Sequence, residues 1–81
     1  MTTVKELLED KSHKDLLTVR PDQPVQDALE IMAAHHISSL PVIEGTTLRG
    51  IISERDYIRK VVPRRVPPWE VLVREIMTES V

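Results

Sequence analysis

Ser53 and Asp56 stand three positions apart in GIISERDYIRK, residues 50–60. At the first turn of a helix that spacing makes a capping box. The hydroxyl accepts from a backbone N–H inside the helix, and the carboxylate accepts from the N–H of the cap residue. Turned outward, the same two side chains hold oxygen groups toward a sugar or a phosphate. The roles are compatible, because Ser53 can cap while Asp56 points away from the helix. Arg55 lies between them, where its cation could meet a phosphate, and the free N–H groups of a helix start also favour anions. A solvated arginine is the plainer alternative.

Other chemistries find little support. The chain has no cysteine, which excludes thiolate nucleophiles, disulfides and cysteine-based zinc sites. His35 and His36 are adjacent, so on a helix they point about 100° apart and cannot share a metal. His13 is far from both, and no zinc or other metal site is expected. There is no nucleophile beside a base and no glycine-rich phosphate loop; with only two glycines in the chain, no enzyme activity is expected. A net charge of −2 argues against a nucleic-acid partner, which would require a basic surface. No apolar run approaches the length of a membrane span, and the opening MTTVKELLEDK has no long apolar core, so a cytoplasmic protein is expected.

The elements that must position Ser53 and Asp56 follow from periodicity. At 81 residues the chain is at most one small domain, and with one Trp, one Tyr and no Phe its core must be aliphatic. Val4, Leu7 and Leu8 fall at helical spacing, predicting a short N-terminal helix with a linker over 1–14. DLLTV, residues 15–19, reads as a strand closed by Arg20-Pro21. In PDQPVQDALEIMAAHHI, Val25, Ala28, Leu29, Met32, Ala33 and His36 follow the i, i+3, i+4 rhythm of one buried face. Pro24 suits that helix's first turn, and Asp22 or Gln23 can cap it. SSLPVIEG and LRGIIS, joined by Gly45-Thr46-Thr47, predict a hairpin with Pro41 at a strand start or sheet edge. A second helix starts at Ser53 and runs to Pro63, with Arg59, Lys60, Arg64 and Arg65 around its end, where cations suit the helix dipole.

The expected fold class is therefore α/β: a β-α-β-β-α sandwich over 15–63, with a small mixed sheet covered by two helices and an extra N-terminal helix. PRRVPPW is a loop, in which Trp69 could anchor a neighbouring chain or pack on its own module. Beyond it, Val73-Arg74-Glu75-Ile76-Met77 matches Val4-Lys5-Glu6-Leu7-Leu8 in charge and apolarity. The segment 64–81 is accordingly read as the proline-rich loop and the start of a second, incomplete module.

The pieces TVRPDQPVQDALEIMAAHHISSLPVI and GIISERDYIRKVV, closing on VREIMT, resemble a cystathionine-β-synthase-type domain, or CBS domain. The resemblance implies modules that work side by side, with clefts between them for AMP, ADP, ATP or S-adenosylmethionine as regulatory ligand. In such domains the position of Asp56 takes ribose hydroxyls, and that of Ser53 reaches sugar or phosphate. An ionised carboxylate can accept two hydrogen bonds from a cis-diol, each worth roughly 1.5–3 kcal/mol. Thr18, Ile37, Ser38 and Ser39 match positions bordering the adenine, and Ile51 matches another lining the pocket. Ile37 and Ile51 could equally be plain core. The resemblance implies a regulatory ligand-binding module that pairs as a homodimer, with a ligand-free assembly module as the alternative.

Overall fold

The computed structural model describes residues 17–79. The predicted N-terminal helix, and Asp15 and Leu16 of the predicted first strand, lie outside the described residues.

Two β-rich runs separated by Gly45-Thr46 form the hairpin that organises the sheet. Strand β1 (Ser39–Glu44) pairs antiparallel with β2 (Thr47–Ser53), from Ser39 opposite Ser53 to Glu44 opposite Thr47, with a register shift between Val42 and Ile43. Gly45 takes the turn at φ +62, a left-handed conformation that glycine adopts without steric penalty. A two-residue strand, β3 (Thr78–Glu79), lies antiparallel on the far side of β2, giving the order β1-β2-β3. The three named strands are thus antiparallel.

Of the predicted DLLTV strand, only Val19 pairs among the described residues, as an isolated parallel bridge to Val42. The Val19 N–H donates to the Pro41 carbonyl at 3.1 Å and the Ile43 N–H donates to the Val19 carbonyl at 2.8 Å. Pairing stops there because the Arg20 N–H is taken by Gln23 Oε1 at 2.7 Å, and the chain turns at Pro21. Pro41 faces this outer edge of β1, so its missing N–H removes no bond between β1 and β2.

Helix α1 (Val25–His35) buries Val25, Ala28 and Met32, three residues of the expected face. Ala33 and His36, expected on that face, are exposed. Neither Asp22 nor Gln23 caps the helix. Its first N–H, of Val25, donates to the Val71 carbonyl at 2.8 Å, so a later segment of the chain takes over the capping function. Helix α2 (Glu54–Lys60) starts at Ser53 as predicted but is shorter than expected; a turn of 3-10 helix, Val62–Arg64, replaces its last residues where Pro63 enters.

The tail belongs to the same packing unit. After a second 3-10 turn, Pro68–Glu70, the short helix α3 (Val73–Ile76) inserts Val73 and Ile76 into the core beside Val71. The Val73 N–H donates to the Gln23 carbonyl at 2.8 Å and the Arg74 N–H to the Pro21 carbonyl at 3.0 Å. Residues 71–79, read from sequence as the start of a second module, thus contribute Val71, Val73 and Ile76 to this core. The core is aliphatic, as composition required: Leu40, Val42 and Ile52 from the sheet meet Val25, Ala28 and Met32 from α1, Val61 after α2, and the tail residues. Trp69 is 65% exposed.

Candidate functional site

The end of α1 is turned by His36, whose φ of 55 places it in the left-handed region, where His is among the tolerated non-glycine residues. Its N–H and that of Ile37 both donate to the Met32 carbonyl. This tight exit delivers Ile37, Ser38 and Ser39 to the start of β1. On the neighbouring strand, Ser53 ends β2 opposite Ser39, and the Glu54 N–H donates to the Ser38 carbonyl at 3.0 Å. The two junctions are thus stitched together, helix to strand and strand to helix.

A groove runs along this seam. One half, about 610 Å3, is lined by Met32, Ala33, His36 and Ile37 together with Ser38, Ser39 and Glu54. The other, about 670 Å3, shares those last three and adds Ser53, Arg55, Ile58 and Arg59. The groove offers hydroxyls at its centre, aliphatic surface from Ile37 and Ile58, and two guanidinium groups against one carboxylate. Among the described residues, neither the arginines nor Glu54 forms an ion pair.

The Ser53/Asp56 question is settled geometrically in favour of a complete capping box. Ser53 Oγ accepts from the Asp56 N–H at 3.2 Å, and Asp56 Oδ2 accepts from the Ser53 N–H at 2.9 Å and from Ser53 Oγ at 3.0 Å. The other oxygen, Oδ1, faces Lys60 Nζ at 3.3 Å and Thr78 Oγ1 at 3.5 Å. Asp56 is turned inward and its side chain is 12% exposed, so the expected outward orientation is not observed. The reason is local: the box satisfies helix donors that would otherwise lack a partner, and Lys60 one turn on supplies the opposite charge.

Five of the eight candidate residues come together: Ile37, Ser38, Ser39, Ser53 and Arg55 line the groove. Thr18 is half-buried just before the Val19 bridge, Asp56 sits behind Ser53, and neither lines it. Ile51 is 51% exposed and also lies off the groove. Ile52 is buried, so strand alternation turns Ile51 to the opposite face. Glu54, Ile58 and Arg59 line the groove without having been singled out for it. Their signal was the pairing 54/58 and 55/59, two i, i+4 rows that make one helix face. Among the described residues, no three His, Cys, Asp or Glu side chains gather to hold a metal, and no helix is long and apolar enough to cross a membrane.

The family model for the CBS domain matches residues 4–63. The chain belongs to the CBS domain family. This CBS module is similar to the mitochondrial CBS domain-containing protein CBSX3 of Arabidopsis thaliana, 33% identical over 98% of this chain and 41% of that protein. It is also similar to inosine-5'-monophosphate dehydrogenase of Korarchaeum cryptofilum, 39% identical over 83% of this chain but only 13% of the enzyme. Among solved structures, a putative signal-transduction protein with CBS domains from Burkholderia ambifaria aligns with a TM-score of 0.78 at 35% identity, over all of this chain and 60% of that one. A cystathionine beta-synthase domain protein fused to a Zn-ribbon-like domain aligns with a TM-score of 0.75 at 36% identity, over 79% of this chain and 91% of that one. The chain thus spans less than half of either of these sequence relatives, and the domain type it shares with them is regulatory.

Proposed function

We propose that this CBS module is a non-enzymatic sensor whose groove takes an adenosine-containing ligand: AMP, ADP, ATP or S-adenosylmethionine. The observation that carries the reading is the groove beside Ser53. Each of its halves falls within the roughly 300–1,000 Å3 of ordinary ligand sites, and it mixes apolar walls with a few fixed polar groups. Ile37 and Ile58 offer faces to a base, Ser38 and Ser39 offer hydrogen bonds to its edge, and Arg55 and Arg59 offer charge to phosphate. Ser53 Oγ already donates to Asp56 and accepts one bond, which leaves one lone pair for a ligand hydroxyl.

The groove is open, so a second module must close it, and a homodimer supplies that wall. A ligand held between two modules shifts their relative arrangement only through binding one arrangement better than the other. Titration calorimetry with AMP, ATP and S-adenosylmethionine tests the reading. Binding of at least one is expected, weakened about tenfold by Arg55→Ala, because a charge-assisted hydrogen bond is worth at least about 1.4 kcal/mol. Absence of heat with all three would overturn it.

A second reading is supported by the inward position of Asp56. With its carboxylate engaged in the cap, the module would serve to pair subunits and carry no ligand. Dimerisation without any nucleotide heat is the result that favours it.

A further inference from the structure

Asp56 joins two parts of the molecule that are otherwise distant in sequence. Oδ2 holds Ser53, the wall of the groove, through two hydrogen bonds. Oδ1 faces the C-terminal segment directly through Thr78 Oγ1, and indirectly through Lys60, whose Nζ also donates to the Ile76 carbonyl at 2.9 Å. A carboxylate offers about four acceptor positions, and all four are used here. The two on Oδ1 are the long ones, at 3.3 and 3.5 Å, and the 3.5 Å contact is weak for an O–H donor.

We infer that Asp56 is a coupling point through which occupancy of the groove controls the seating of β3. A ligand that pulls on Ser53 in the groove wall shifts the carboxylate that holds it, and with it the Oδ1 contacts to Lys60 and Thr78, two of the contacts between the helix α2 region and the tail. The segment that responds is short. Ile76 is locked in the core, so the tail stays anchored there while Thr78 and Glu79 lift from β2. Coupling of this kind is reciprocal: displacing β3 releases the Oδ1 contacts, and so changes the affinity of a ligand held on Ser53. The ligand-driven half of this mechanism rests on the proposed function; the connection between Asp56 and β3 does not.

The experiment is amide hydrogen exchange by NMR on the intact chain. Lys60→Met keeps the aliphatic stem and the capping box but removes the ammonium bridge. It is expected to speed exchange at Thr78 and Glu79 by about tenfold, as for the loss of one charge-assisted bond, and to leave the β1–β2 hairpin unchanged. Thr78→Val is expected to act in the same direction more weakly. Exchange at the tail that is unaltered in both variants, or altered equally across the hairpin, overturns the inference. In the second arm AMP is added to the unmutated chain. Calorimetric binding with faster tail exchange supports the coupling, whereas binding with an unchanged tail overturns it and leaves the groove reading standing. If AMP, ATP and S-adenosylmethionine all fail to bind, the sensor reading fails, and the Thr78→Val result decides whether Asp56 holds β3.

Discussion

Gly50 is the position where the tail comes closest to the sheet, and adding one methyl group there has a consequence that can be worked out. A Cβ at Gly50 would fall on the Thr78 carbonyl oxygen and within 3.1 Å of the Glu79 Cα. These are backbone atoms of β3, so no side chain can rotate away. Carbon atoms prefer separations of about 3.5–4.0 Å, so β3 must retreat by roughly 1 Å or detach. Overpacking of this kind costs about 1–3 kcal/mol, and the loss of glycine's freedom in the unfolded chain returns about 0.4–1 kcal/mol. The expected net loss for Gly50→Ala is roughly 1–2 kcal/mol. At about 4–8 °C per kcal/mol for a domain of this size, that lowers the melting midpoint by roughly 5–15 °C. Circular dichroism melts read the midpoint, and amide exchange shows whether the damage is confined to Thr78 and Glu79. Gly45→Ala is the control: it meets nothing within 4 Å, so its cost comes only from the left-handed backbone and leaves β3 in place. A Gly50→Ala chain that melts at or above the unmutated temperature would refute the close approach of the tail.

Two further substitutions probe the module's construction. Ile76→Ala is expected to destabilise the chain by about 2–5 kcal/mol in denaturant melts, because this side chain is 1% exposed in the core; a loss near zero would mean that the tail is a separate unit after all. Ser53→Ala removes one half of the capping box and is expected to lose about 1 kcal/mol of stability, checked by the same melts; an unchanged midpoint would show that the cap is dispensable.

The legible parts of the fold were those set by local pattern. The hairpin followed from two β-rich runs around Gly45, and the inner face of α1 from the spacing of Val25, Ala28 and Met32. The start of α2 followed from the Ser53/Asp56 spacing. What depended on distant segments was not visible. Nothing local shows that the Val71 carbonyl will cap α1, and so Asp22 and Gln23 looked like the natural caps. The same holds for VREIM. Its likeness to VKELL suggested a new beginning, and that likeness alone does not show that Val73 and Ile76 pack into this core. At the site, Ser38 and Ser39 were named through the resemblance and Ser53 through its spacing to Asp56, and all three line the groove. Glu54, Ile58 and Arg59 were overlooked because solvated charge explains such residues equally well until the groove is seen. The direction of Asp56 was the hardest to read, since a cap and a clamp use identical residues and differ only in a side-chain rotation and in the partners Lys60 and Thr78.

The measurement closest to the central claim is a residue-by-residue NMR titration of the unmutated chain with AMP. Binding in the groove predicts saturable shifts of the Ile37, Ser38, Ser39, Glu54, Arg55 and Arg59 amides. Val19 and the Gly45 turn should remain still. Shifts centred instead on Arg49 and Arg74, which line a separate cavity with Asp22, Glu44 and Glu79, or no saturable shifts with AMP, ATP or S-adenosylmethionine, would contradict a sensor at the groove.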